Sequence, residues 1–237
     1  MPKSRRNKLV SLTETDKKTR EHKEALVDVI RQAADENKYC WVIEAGDMRN
    51  NALKDVRAAW KGTGRIFFGR LKVMALAIGT TPESSHKPQL YKLTDNLKGQ
   101  SGLFFTNWNS DEVKEWFDTF SKPDFARSGN IANMDVELPE GPVIHQPSGD
   151  VLPHTLEPSL RKLGLSTSLL KGVPTLLSNH VICKKGQSLT PDQAQILKLI
   201  GIQMSTFKLK LKALWEEGNA GEGNIKEFND QDENMNN

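Results

Sequence analysis

The run Arg65-Ile66-Phe67-Phe68-Gly69-Arg70-Leu71-Lys72-Val73-Met74-Ala75-Leu76-Ala77-Ile78 leaves this chain few folds. Arg65 to Phe68 reads as a short buried strand, and Val73, Met74, Ala77 and Ile78 repeat at helical spacing. Gly69 between them supplies a tight turn. A strand passing directly into a helix is half of an α/β unit and needs a layered partner to bury it. The expected helix opens with Arg70 and Lys72, beside unpaired N–H groups and the positive end of its macrodipole. That corner suits a phosphate. An ordinary strand-to-helix turn with solvated cations accounts for this stretch equally well.

The flanking sequence supplies the layers. Thr13 or Thr15 caps an expected helix running to about Asn37, with Leu26, Val29, Ile30 and Ala33 as its apolar stripe. Lys17, Lys18, Arg20 and Lys23 crowd its start, where cations oppose the helix dipole. Tyr39–Ile43 is an apolar run of strand length. A helix from Asn50 or Asn51 carries Leu53, Val56 and Trp60 on one face, and Gly62-Thr63-Gly64 closes it. This Gly-Thr-Gly precedes a strand, so it is not a dinucleotide fingerprint. A helix over Gln89–Leu97, a strand over Leu103–Thr106 and a helix capped by Ser110 follow. The last places Asp111 and Glu112 in its first turn and Val113, Trp116, Phe117 and Phe120 on its buried face. Strands alternating with helices give an α/β layered domain.

Seven prolines between Pro123 and Pro174 then break the pattern, with short β-like pieces at Met134–Leu138, Val143–His145 and His180–Cys183. Helical periodicity returns at Thr190-Pro191-Asp192, on Ala194, Ile196, Leu197 and Ile200. From Phe207 to Trp215 apolar residues alternate with Lys208, Lys210 and Lys212, as in an edge strand shielded by lysines. This helix and strand are expected to close the first core. The expected domains are therefore 1–123 with 188–215, an inserted small β-containing domain over 124–187, and a disordered acidic tail over 216–237.

Charge points to a polyanion partner. Residues 1–10 hold Lys3, Arg5, Arg6 and Lys8 and no acid. The tail 216–237 has seven acids and one base; setting aside its −6 from a chain of +3 leaves +9 on residues 1–215. The expected RNA-facing surface joins Arg65, Gly69, Arg70 and Lys72 to Lys3, Arg5, Arg6, Lys8, Lys17, Lys18 and Arg20. No apolar run of membrane-spanning length and no signal-peptide core occurs, and two distant cysteines, Cys40 and Cys183, fit a reducing compartment. Five histidines without metal spacing, no paired cysteines, no P-loop and no nucleophile elbow leave catalysis and cofactors without positive support.

In its order of parts the chain resembles the ribosomal stalk-base proteins (P-zero in eukaryotes, L-ten in bacteria). It is most similar to the mRNA turnover protein 4 family of large-subunit assembly factors. The resemblance is carried by Met1-Pro2-Lys3-Ser4-Arg5-Arg6-Asn7-Lys8, Thr15-Asp16-Lys17-Lys18, Gly69-Arg70-Leu71-Lys72-Val73-Met74, Gly102-Leu103-Phe104-Phe105-Thr106 and Ala194-Gln195-Ile196-Leu197-Lys198. It implies a non-enzymatic factor without cofactors, bound to 25S/28S-type precursor rRNA at the future stalk base, the GTPase-associated region of the pre-60S particle. It also implies an L-twelve-type stalk-base ribosomal protein as neighbour, a phosphatase-like release factor, and residence in nucleus and nucleolus with passage to the cytoplasm on particles. Stalk-base proteins usually carry Gly-Lys-Asn-Thr where this chain has Gly69-Arg70-Leu71-Lys72. They also continue into apolar helices that hold acidic stalk proteins, whereas the apolar pattern here ends at Trp215, so a placeholder without acidic stalk partners is expected. Two alternatives stay open: a shortened ribosomal protein retained in mature subunits, and a phosphate- or nucleotide-dependent enzyme using the 69–72 turn.

Overall fold

The computed structural model describes residues 20–218 and 223–228. In chain order these form α1 (Arg20–Glu36), β1 (Tyr39–Ala45), α2 (Asn50–Ala59), β2 (Gly64–Phe67), α3 (Leu71–Ile78), a 3-10 helix (Leu90–Asn96), β3 (Ser101–Thr106), α4 (Ser110–Thr119) and β4 (Lys122–Asp124). Then come β5 (Val136–Leu138), β6 (Gly141–Pro142), a 3-10 turn (His154–Leu156), α5 (Glu157–Lys162), β7 (Thr167–Leu170), β8 (Val173–Leu176) and β9 (His180–Cys183). The chain continues through α6 (Pro191–Leu199), β10 (Ser205–Phe207), β11 (Leu209–Glu217) and β12 (Gly223–Glu227).

Two compact units emerge. Of the described residues, the first comprises 20–44, 60–110, 211–218 and 223–228; the second comprises 45–59 and 111–210. The first is built on a five-stranded sheet ordered β12-β11-β1-β3-β2. β3 lies antiparallel between β1 and β2, Tyr39 facing Thr106 in one pair and Gly64 facing Thr106 in the other. All six residues of β3 are buried, so the sheet is covered on both faces there. α1, α3 and the 3-10 helix close one face. Val27, Ile30 and Ala33 of α1 meet Met74, Ala77 and Ile78 of α3, Leu90 and Leu93, and the sheet residues Val42, Leu103, Phe105 and Trp215. Full burial of each large apolar side chain contributes roughly 1.5–3 kcal/mol.

The second unit has its own core, shared by Val136, Leu138, Leu160, Leu176, Ile182, Ile196, Leu197 and Ile200. Its sheets are small: β10 with β4, β5 with β9, and β6-β8-β7. α6 starts at a capping box: Thr190 Oγ1 accepts from the Gln193 N–H at 3.2 Å, and Gln193 Oε1 accepts from the Thr190 N–H at 2.9 Å.

Four expectations change. First, α6 does not complete the first core; Ile196, Leu197 and Ile200 bury themselves in the second. Second, β11 is no edge strand, because β12 covers its outer side with Trp215 facing Ile225 and Glu217 facing Gly223. Third, the acidic segment after Trp215 therefore contains order over Gly223–Glu227. Trp215 Nε1 donates to Pro88 O at 2.9 Å, and a β-carbon on Gly223 would lie 2.2 Å from that nitrogen and 2.3 Å from that oxygen. Only glycine lets β12 pass so close. Phe228 stacks on Trp41 with ring centroids 5.8 Å apart. Fourth, the helix expected over Gln89–Leu97 is a 3-10 helix over Leu90–Asn96, entered through Gln89 in the left-handed region.

Candidate nucleic-acid interface

The strand-to-helix corner lies wholly within the first unit. Gly69, Arg70 and Lys72 are exposed, as is Arg65 on edge strand β2. Gly69 is not needed for the turn itself: it avoids positive φ, and an added β-carbon would meet only Leu26 Cδ2, at an ordinary 3.5 Å. Its effect is to leave the backbone bare where α3 begins. Arg70 occupies the N-cap in extended conformation without capping by its side chain, and no acid stands in the first turn of α3. The positive end of α3 is therefore not neutralised by a carboxylate of its own.

Among the described residues the cations here, Arg65, Arg70 and Lys72, have no carboxylate partner. Arg65 lies 5.6 Å above the Phe67 ring instead. Residues 60–82 and 96–110 contain no Asp or Glu, and the sheet pairs these two segments as β2 and β3. Glu44, which faces Ser101 across the sheet, is itself paired to Lys212 at 3.1 Å. The acid-free segments add Lys61 to the set, a residue that composition alone does not single out. The signal that identifies it is the absence of carboxylates over 23 residues, a patterning feature.

α1 runs beside α3. Leu26 reaches Gly69, and further along Arg31 Nε donates to Ala77 O at 3.2 Å, so the two helices advance in the same sense. Counting back from Leu26 to Arg20 carries the start of α1 about 9 Å past the corner, at about 1.5 Å per residue. Arg20 is exposed there and bonded to Glu24 at 2.6 Å. Lys3, Arg5, Arg6, Lys8, Lys17 and Lys18 lie outside the described residues.

A second set of cations lines a cleft of about 560 Å³ in the other unit. Each is already tied to a protein acceptor. Arg49 bonds Asp124 and the Phe125 carbonyl, Lys122 bonds Asp55, and Arg127 bonds the Met48 carbonyl. That cleft is internally neutralised, which separates it from the corner. Both cysteines are buried, and burial pushes the thiols of Cys40 and Cys183 up, so neither is an activated nucleophile.

The α/β unit and the unit of small sheets each correspond to a known family model of the ribosomal L10 type. The family model for ribosomal protein L10 matches residues 18–122, and the model for the insertion domain in the 60S ribosomal protein of the same type matches 126–202, through α6. The chain is 44% identical over 226 residues to the ribosome assembly factor mrt4 of Schizosaccharomyces pombe, covering 93% of each chain. It is 39% identical to the assembly factor of the same name from Neurospora crassa, covering 98% of this chain and 100% of the other. A large ribosomal subunit protein uL10 from Thermococcus sibiricus is 25% identical over 75% of this chain but only 51% of its own length. The chain belongs to the Mrt4 family of ribosome assembly factors.

Proposed function

We propose that this chain binds precursor rRNA of the large subunit at the future stalk base, as a placeholder later replaced by the ribosomal stalk-base protein. The observation that carries the reading is the pairing of β2 and β3, which unites two acid-free segments around Arg65, Arg70 and Lys72. Cations without internal partners are available to phosphates, and the counterions that phosphates then release supply binding free energy. RNA would be recognised there by shape and backbone contact. On this reading the arm residues Lys3, Arg5, Arg6, Lys8, Lys17 and Lys18, with Arg20, supply further phosphate contacts.

Occupancy of a shared RNA surface makes two proteins mutually exclusive. The assembly-factor relatives align over nearly the whole of both chains, whereas the uL10 relative aligns over half its length. That contrast sets this chain with the assembly factors, and we read it as a factor that holds the site without holding acidic stalk proteins. On this reading the neighbours are 25S/28S-type rRNA and an L-twelve-type ribosomal protein, a phosphatase-like factor drives release, and the work is done in nucleus and nucleolus without catalysis.

Fractionation tests it. The protein should co-sediment with precursor large subunits and be missing from polysomes; stoichiometric presence in polysomes would make it a retained ribosomal protein instead. Arg70→Ala with Lys72→Ala should weaken particle association and leave thermal stability within about 0.5 kcal/mol. Unfolding of that double variant, with normal RNA binding by its folded fraction, would make the corner merely structural.

A further inference from the structure

One large aromatic side chain on the acid-free strip is exposed. Trp108, in the loop after β3, is 44% exposed. It is not loosely held. Its ring meets Trp60 edge-on, with centroids 5.2 Å apart and planes at 71°, and Trp60 is in turn edge-on to Phe104 at 4.9 Å. The backbone N–H of Trp108 donates to Thr106 Oγ1 at 3.1 Å, and that hydroxyl donates to Thr63 O at 2.9 Å. One side of the indole is thus anchored to a buried aromatic pair while nearly half its surface stays in water.

The surroundings say what chemistry would meet it. Lys61 follows Trp60 directly, and Arg65 is one residue along from Gly64, which faces Thr106 across the sheet. Carboxylates are missing from residues 60–82 and 96–110 alike. The next acids along the chain, Asp111 and Glu112, open α4. A rigid exposed ring at the end of an acid-free strand pair suits a polyanion that also presents flat apolar faces, which is a nucleic acid strand with an unstacked base. A protein partner would need acids opposite the cations and an apolar patch opposite the ring; RNA supplies both features in every nucleotide.

We propose that Trp108 is a stacking site for one unpaired nucleobase. The strand carrying that base then follows β2 toward Arg65 and the Arg70 corner. From Gly64 to Arg70 the chain spans at most about 20 Å, a reach of a few nucleotides. This rests on the rRNA reading above and adds to it a base contact that phosphate binding does not require.

The test uses the full chain and two rRNA stalk-base fragments, one with its unpaired loop nucleotides and one fully duplex. Trp108→Leu keeps apolar bulk over Trp60 and removes the extended ring. Its affinity for the loop fragment should fall roughly five- to a hundredfold, with an unchanged salt slope and unchanged affinity for the duplex. Trp108→Phe should recover most of the loss. Quenching of indole fluorescence by the loop fragment should be smaller in Trp108→Phe than in the wild-type protein, a readout independent of whether Trp108→Leu folds. Wild-type affinity in Trp108→Leu, or equal quenching in Trp108→Phe, overturns the proposal. So does loss of particle association by Trp108→Leu with RNA affinity intact, which would assign the ring to a protein. Salt-dependent binding that ignores Trp108 sinks only the stacking site; absence of salt-dependent binding in the wild-type protein sinks the rRNA reading itself.

Discussion

The two units carry similar cations and use them differently. In the second unit Arg49, Lys122 and Arg127 bond Asp124, Asp55 and backbone carbonyls, holding β4 and the start of α2 in place. In the first, Arg65, Arg70 and Lys72 stand on segments that contain no acid at all. A count of charges does not distinguish these cases; the position of the carboxylates does. On the proposed reading the first set of cations is left open to phosphate, whereas the second is committed to holding its own unit together.

The comparison predicts separable losses. The largest comes from the cores. Phe105→Ala removes a fully buried ring from the first unit and should cost about 3–5 kcal/mol, taking RNA binding with it. Leu160→Ala in the second core should cost about 2–5 kcal/mol and leave rRNA affinity of the folded protein unchanged. Denaturant melts and fragment binding read both. Equal loss of RNA affinity in the two variants would break the division of labour.

A smaller effect is expected at β12. Gly223→Ala forces a methyl group against Trp215 and the Pro88 carbonyl, and should destabilise the first unit by about 1–3 kcal/mol. A variant as stable as the wild-type protein would mean that the strand is not held at Trp215. The smallest effect belongs to the second unit's surface. Lys184→Ala with Lys185→Ala removes two exposed cations and should change stability by less than about 0.5 kcal/mol. RNA affinity should be unaltered; a loss comparable to that of the corner variant would extend the interface into the insertion.

Much of this was legible in the sequence because it rested on periodicity. The α3 stripe, the apolar run of β3 and the Thr190-Pro191 start of α6 all lie where spacing and capping place them. What spacing does not carry is partnership. The apolar face of α6 says that it must be buried, not in which core, and it joined the second. β12 is a polar segment with one apolar residue, Ile225, packed on the first core, so its pairing with β11 leaves almost no compositional trace. Glycine at 69 looked like a requirement of the turn, yet its backbone needs no glycine, whereas Gly223, unremarkable in sequence, is hemmed in by Trp215. The corner's residues were readable one by one, but the strip was not, because β2 and β3 are brought together only by the fold.

The most direct test of the central claim is the salt dependence of affinity for the stalk-base rRNA fragment, measured on the wild-type protein and on Arg70→Ala with Lys72→Ala. If roughly five cations meet phosphates, log affinity against log salt should fall with a slope of about −3.5 to −4.5. Removing two of them should shorten the slope by about 1.4–1.8. A flat wild-type response, or an unchanged slope and affinity in the double variant, would contradict the assignment of this corner to RNA.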